Sequence, residues 1–250
     1  MIKIFRGDSM ELFHDVRKEA MGVGGPVIVV SDPPFNIGYK YKSYKDRMKE
    51  DEYYEMLAYF FEEQPSVVIH YPEQLYRLAF QIGKFPEEVC SWVYNSNMAK
   101  QHRDIVFFDC KPDFGQVRQP YKDMKDPRNI ERMKSGRATG AKLYDWWNVN
   151  QVKNINPNKT PHPCQMPLEV MTNLIGILPY DAVIIDPFMG SGTTGMAVVK
   201  MNQKQPEAKR SFFGLEMDEE YFSIARQRIE HIQKTGEEIL KTELEGVHEV

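Results

Sequence analysis

Cysteine is scarce in this 250-residue sequence: Cys90, Cys110 and Cys164 are odd in number and far apart. Such spacing suggests neither a disulfide framework nor a zinc knuckle, and reduced thiols with no shared role and no metal site are expected. Long apolar runs are also missing. None approaches the roughly 18 residues that a membrane-spanning helix needs, and Met1 to Arg6 has no apolar signal-peptide region, so a cytoplasmic protein with no membrane partner is expected. There is no internal repeat and no low-complexity stretch. A net charge of -4 argues against a surface that is basic all over, yet the charge is unevenly placed. Between Pro112 and Thr160 ten Lys or Arg face five Asp or Glu, while the remainder is acidic.

What is present reads as one α/β domain carrying an insertion. Residues 1–111 form a first half, 112–160 the insertion, 161–236 a second half and 237–250 an acidic tail read as frayed or disordered. Residues 3–8 alternate as a short strand, Met10 to Val16 as a helix, and Val27 to Ser31 as a buried strand, a β-α-β unit with a parallel pair expected. The carboxyl ends of such strands form the ligand crevice, which places Asp8 and Asp32 on one rim. Helices are expected around Glu52 to Phe61 and Leu75 to Ile82, with a strand at Val67 to His70. His70 reads as a structural histidine. Strands at Val89 to Tyr94 and Ile105 to Cys110, joined by a short polar link from Asn95 to Arg103, are expected to be antiparallel.

Two stretches carry the chemistry. Val27 to Phe35 is an apolar run that delivers Asp32, the bend Pro33-Pro34 and the ring of Phe35 to a sheet edge. Val183 to Thr194 is a strand ending at Asp186, followed by Pro187-Phe188-Met189-Gly190-Ser191-Gly192-Thr193-Thr194 at the start of a helix. Its glycines let a ligand approach backbone N–H groups. The turn lacks the lysine of a Walker loop and the third glycine of a dinucleotide fingerprint. With Glu216 ending the next strand, where it can hold ribose hydroxyls, the pattern suits a nucleoside cofactor without a pyrophosphate. S-adenosylmethionine meets that description.

Basic residues interleaved with rings mark two candidate nucleic-acid surfaces. Asn36 to Lys49 holds Lys40 and Lys42 among Tyr39, Tyr41 and Tyr44, and reads as a mobile loop able to close over a phosphate backbone. The insertion, with Arg128, Arg132 and Arg137 beside Tyr144, Trp146 and Trp147, reads as a recognition segment with little core of its own.

Asp32-Pro33-Pro34-Phe35 resembles the D-P-P-[YFW] catalytic motif of DNA amino-methyltransferases, and Asp186 to Thr194 resembles their D-P-F-x-G-S-G-T-T cofactor motif. His162-Pro163-Cys164-Gln165-Met166-Pro167 is similar to the family's H-P-x-x-K-P element, with Met166 in place of the lysine. Catalytic motif first, basic insertion next and cofactor motif last is the order of the beta group.

That resemblance implies a doubly wound, mostly parallel seven-stranded S-adenosylmethionine-dependent methyltransferase sheet in permuted order, with an inserted target-recognition region. It further implies Asp32, Pro33, Pro34 and Phe35 as catalytic residues acting on a flipped base of double-stranded DNA. Asp8, His162, Cys164, Asp186, Phe188, Gly190, Ser191, Gly192, Thr193 and Glu216 would form the cofactor site. Asp in the first motif position favours N6 of adenine; N4 of cytosine is the alternative, and a DNA-binding protein that only senses S-adenosylmethionine is another. A homodimer stays open.

Overall fold

The computed structural model describes residues 1–136 and 139–244. Ten strands and seven helices follow one another in it: β1 (Ile2–Arg6), α1 (Ser9–Met21), β2 (Val27–Ser31), α2 (Glu50–Phe61), β3 (Ser66–His70), α3 (Pro72–Gln81), β4 (Glu88–Val93), β5 (His102–Phe108), β6 (Arg118–Gln119), α4 (Pro127–Lys134), β7 (Ala141–Lys142), β8 (Trp146–Asn148), α5 (Leu168–Gly176), β9 (Val183–Asp186), α6 (Thr193–Lys204), β10 (Ser211–Glu216) and α7 (Glu219–Thr235). No helix among the described residues is long and apolar enough to cross a membrane.

The strands assemble into one sheet in the order β1-β10-β9-β2-β3-β5-β4-β8, buried through its centre at β10, β9, β2 and β3 and partly exposed at β1, β4 and β8, while β6 and β7 pair separately. Of the described strands in this sheet, only β5 runs against the rest, since it pairs antiparallel with both β3 and β4. Strand faces alternate. Ile28, Val67, Ile69, Ile184 and Phe212 pack with α5, α6 and α7 through Met171, Leu174, Met196 and Ile229. Val29, Val68, Ile185 and Phe213 pack with α1, α2 and α3 through Phe13, Leu57, Phe60 and Leu78.

From β2 the chain winds outward through β3, and from the adjacent β9 it winds the other way through β10. The crevice therefore opens where the order reverses, at the carboxyl ends of β2 and β9. Those two strands carry the two sequence motifs.

Several expectations change. β1 and β2 are parallel but not paired, because β9 and β10, made in the second half of the chain, insert between them. The sheet has an eighth strand, because Trp146–Asn148 of the insertion pairs parallel with β4. That pairing turns Trp147 into a core residue, 3 % exposed, and Leu143, whose N–H bonds the Phe114 and Val117 carbonyls, is buried too at 6 %, so the insertion does have a share of the core. Residues 237–244 are docked rather than frayed: Ile239 and Leu244 are buried, and the Lys241 N–H bonds the Pro157 carbonyl at 2.7 Å. The rest of the acidic tail, 245–250, lies outside the described residues. Arg103, read as part of a polar link, lies inside β5.

Candidate active site

A cavity of about 660 Å³ lies at the crevice, lined by Asp8, Asp32, Pro33, Pro34, Phe35, His162, Cys164, Asp186, Phe188, Gly190, Ser191, Thr193 and Glu216. Residues from both halves of the chain thus meet in one space. Gly192 stands behind it as the left-handed N-cap of α6 (φ 81°).

At the end of β2, Asp32 is only 13 % exposed, with Arg103 Nη1 3.5 Å from its Oδ2. Oδ1 is buried and has no hydrogen-bond partner. Burial pushes the carboxyl up to about 7; Arg103 pulls it down, and the nearby Asp186 adds to the rise. A buried acceptor without a donor is costly, so such an atom in a cavity marks a place where a ligand N–H or O–H completes the site.

The bend that follows is fixed by a relay of hydrogen bonds. The Tyr71 N–H donates to His70 Nδ1 at 2.7 Å, His70 Nε2 lies 2.9 Å from Tyr53 Oη, and Tyr53 Oη donates to the Pro34 carbonyl at 2.7 Å. With Nδ1 accepting, His70 carries its proton on Nε2 and donates to Tyr53. Burial together with Arg103 and Lys100 holds its pKa down to about 3, so the ring stays neutral. It also stacks on Phe35, centroids 4.1 Å apart and 23° from parallel. His70 is structural, as expected from its isolation in the sequence, and what it supports is the DPPF turn.

Asp186, at the end of β9, is a knot between motifs. Its Oδ1 accepts from Ser31 Oγ and from the Phe188 N–H, each at 3.0 Å, and its Oδ2 from Thr194 Oγ1 at 2.5 Å. Burial still pushes it up to about 6 against those donors. Both oxygens are therefore engaged by the chain itself.

The glycine turn is built to be close-packed. Gly190 has φ 50°, and a Cβ there would lie 2.8 Å from His162 Nε2, so His162 backs the turn directly. Burial and the cations Lys159 and Arg228 hold the His162 pKa down to about 3. From α7, the buried Arg228 donates through Nη1 to the Ser191 carbonyl (2.6 Å), Ser191 Oγ (2.9 Å) and Thr193 Oγ1 (3.2 Å). Arg228 went unread in the sequence although a signal existed: position 228 falls on the apolar stripe of Tyr221, Ile224, Ala225, Ile229 and Ile232.

On the next strand, Glu216 accepts from the Asp218 N–H at 2.8 Å, and burial pushes its carboxyl up to about 7. Asp8 lines the cavity while capping α1 through the Met10 N–H at 2.8 Å. Cys164 lies beside Tyr41, and burial raises its thiol pKa.

The tyrosine loop is tied down rather than free to swing. Asp46, 2 % exposed, accepts from the N–H groups of Asn36 (2.7 Å), Ile37 (3.1 Å) and Tyr39 (2.9 Å), and Asn36 exchanges bonds with the Met48 backbone. Asp46 was missed because a lone acid in a basic loop reads as solvated. Of the residues expected on DNA, Lys40 is exposed on that loop. Lys42 pairs with Glu220, and exposed Arg128 pairs with Asp126 at 2.7 Å. Arg132 is exposed on α4, and Arg137 lies outside the described residues.

Residues 27–227 match a family model described as DNA methylase, of the N6 and N4 type. Among curated proteins, the Type II methyltransferase M.HpaI of Haemophilus parainfluenzae is 25% identical over 227 residues, covering 81% of this chain and 68% of the relative. The Type II methyltransferase M.BglII of Bacillus subtilis is 26% identical over 259 residues, covering 90% and 68%. In shape the chain is similar to M1.HpyAVI in its SAM complex, with a TM-score of 0.59 at 21% identity over 92% of this chain and 99% of that one. It is also similar to TTHA0409 of Thermus thermophilus complexed with S-adenosyl-L-methionine, with a TM-score of 0.53 at 17% identity over 94% and 97%.

Proposed function

Since this chain belongs to the DNA methylase family of the N6 and N4 type, we propose that it transfers a methyl group from S-adenosylmethionine to N6 of an adenine turned out of double-stranded DNA. The observation that carries this reading is the unpartnered Oδ1 of Asp32, buried in the cavity that Phe35 also lines.

The residues present fit the cofactor. Glu216 ends β10 with a carboxylate suited to a pair of ribose hydroxyls, the tight turn at Gly190 lines the cavity without a side chain to fill it, and Phe188, Met189 and Leu215 give the cavity apolar wall. When bound, S-adenosylmethionine supplies an electrophilic methyl group on a sulfonium centre.

The chain's own groups do the rest. An exocyclic amine on a base is a weak nucleophile because its lone pair is delocalised into the ring. Asp32 Oδ1 accepts one amine hydrogen and the Pro33 carbonyl the other, which draws the nitrogen toward a tetrahedral shape. With its pKa near 7, Asp32 can hold the proton that the methylated nitrogen sheds. The Phe35 ring offers the surface on which the base stacks, and its restraint by His70 keeps the amine in line for attack.

Residues 112–160 are the proposed recognition segment, with Arg128, Arg132 and Arg137 acting on the phosphate backbone alongside Lys40 and Lys42. The Type II naming of M.HpaI and M.BglII supports a role in restriction and modification.

Transfer of labelled methyl groups to genomic DNA, followed by digestion to nucleosides and sequencing for modified bases, tests the reading. N6-methyladenine at a fixed sequence is the expected product. N4-methylcytosine would overturn the choice of base, and absence of transfer would overturn the activity.

A further inference from the structure

Phe35 has no free face in this chain. His70 covers one side, and the Arg103 guanidinium lies 4.5 Å from the ring centroid. The two come from opposite faces of the sheet. His70 pairs across the ladder with Asp104, so Arg103, one residue earlier in β5, points the other way. Accordingly His70 meets Tyr53 on the α2 side, whereas Arg103 sits among Trp92 (5.2 Å) and Met166 Sδ (3.9 Å) on the other. Arg103 therefore lies over the ring face that His70 leaves open.

The same guanidinium approaches Asp32 Oδ2. It is planar, rich in N–H donors, held over the ring and set against the acid. Those are the contacts that the functional reading above, on which this inference rests, gives to the target base. The fit is incomplete: Asp32 Oδ1 and Arg103 Nε are both buried without partners, so the polar demand of the pocket is only partly met. The chain also carries Met166 where the resembling motif has lysine, and that thioether is what flanks Arg103.

We propose that Arg103 is a positioning residue that stands in for the target base in the DNA-free chain, set against Asp32 and covering the Phe35 face, and that it must swing off Phe35 for the base to enter.

Two variants separate its charge from its plane. Arg103→Lys keeps a cation near Asp32 but replaces the flat guanidinium with a compact, strongly hydrated ammonium. Arg103→Met keeps bulk against Phe35 and Trp92 and removes the charge. Base entry is read by stopped-flow fluorescence of 2-aminopurine placed at the methylated position of a duplex; catalysis is read as kcat/KM against pH. Arg103→Lys is expected to speed entry by about tenfold, the order of one cation–π contact, with an unchanged acid limb. Arg103→Met is expected to move the acid limb up by about one pH unit or more. The other ionisable groups facing Asp32, namely Asp186, Tyr41, Tyr53, Tyr94 and Cys164, are the same in both variants.

An entry rate in Arg103→Lys equal to wild type, or an unmoved acid limb in Arg103→Met, overturns the inference. So does an equal loss of activity at every pH together with a fall in Tm, which is the mark of a purely structural arginine. Should a variant not fold, the wild-type Arg103 Nε–H resonance answers instead. Ring currents of Phe35 and Trp92 shift it in the free chain, and it must return toward an ordinary position when the duplex binds; a resonance that stays put overturns the inference. A wild-type chain that methylates no DNA is a different result, and it overturns the functional reading before any variant is made.

Discussion

Ser31 Oγ donates to Asp186 Oδ1 at 3.0 Å, joining the last residue of β2 to the last residue of β9. The two sequence motifs, distant in the chain, are thereby joined by a buried hydroxyl just beyond the ladder that pairs β2 with β9. Replacing it shows how much that side-chain link adds to the ladder. Ser31→Ala leaves Asp186 with the Phe188 N–H and Thr194 Oγ1 as donors, and removal of a hydrogen bond to a buried acid is expected to cost about 1–3 kcal/mol. Denaturant unfolding measures the loss; a stability equal to wild type would mean that the bond couples nothing.

Asp32→Asn keeps the shape and removes the negative charge and proton acceptor. The expected outcome is a fall in kcat of about 10²–10³ or more, by analogy with loss of one preorganised polar group at a reacting centre, with cofactor affinity by calorimetry near wild type. Retained kcat would remove Asp32 from the chemistry.

The pH dependence follows from the same residue. Burial raises Asp32 to about 7, so it is protonated at lower pH and then has a donor where an acceptor is needed. In kcat/KM the rate should fall toward one decade per pH unit below about 7. His70 and His162, both held down to about 3, stay neutral across that range and do not add to the limb, whereas Glu216, also pushed up to about 7, titrates in the same window and is set apart by assay at saturating S-adenosylmethionine. A profile flat from about pH 5 to 8 would contradict this assignment.

Glu216→Gln tests the other end of the cavity. Loss of the carboxylate at the end of β10 should weaken S-adenosylmethionine by about tenfold or more, seen as a raised cofactor KM with a smaller change in kcat at saturation. The opposite split would move Glu216 from binding to chemistry.

Trp147→Ala should cost about 3–5 kcal/mol, since the side chain is 3 % exposed and packed in the core, while Trp146→Ala, 46 % exposed on the same strand, should cost far less. Equal stabilities would place Trp147 outside the cooperative core.

Much of this arrangement is readable in the sequence, for a physical reason. β2 and β9 are short β-branched runs that end in acids and prolines, so their type, burial and orientation are all local properties. The strands to either side follow in the same way. Arg103 is different: an arginine between His102 and Asp104 looks like a solvated link, and only the approach of Asp32, Phe35 and Trp92 from other strands makes its position intelligible. Trp147 misleads in the opposite direction. In a basic, proline-rich stretch it reads as a stacking platform, yet ladder pairing of β8 with β4 carries it into the core. Asp46 is legible only through the three N–H groups that converge on it.

The strand β8 has a consequence for engineering. Exchange of recognition segments is an obvious route to new sequence specificity, and residues 112–160 look like a removable cassette. They are not one. β8 is laddered to β4, β4 to β5, and the Trp92 ring of β4 lies 5.2 Å from the guanidinium of Arg103 on β5, so a graft that takes out Trp146–Asn148 is expected to loosen the surroundings of Arg103 and, with it, the proposed base pocket. A workable splice keeps β8 from the recipient and exchanges only what precedes it. Under the proposed function, the recognition segment and the base pocket share one sheet edge, and a donor loop is compatible only if its exit can deliver β8 in register.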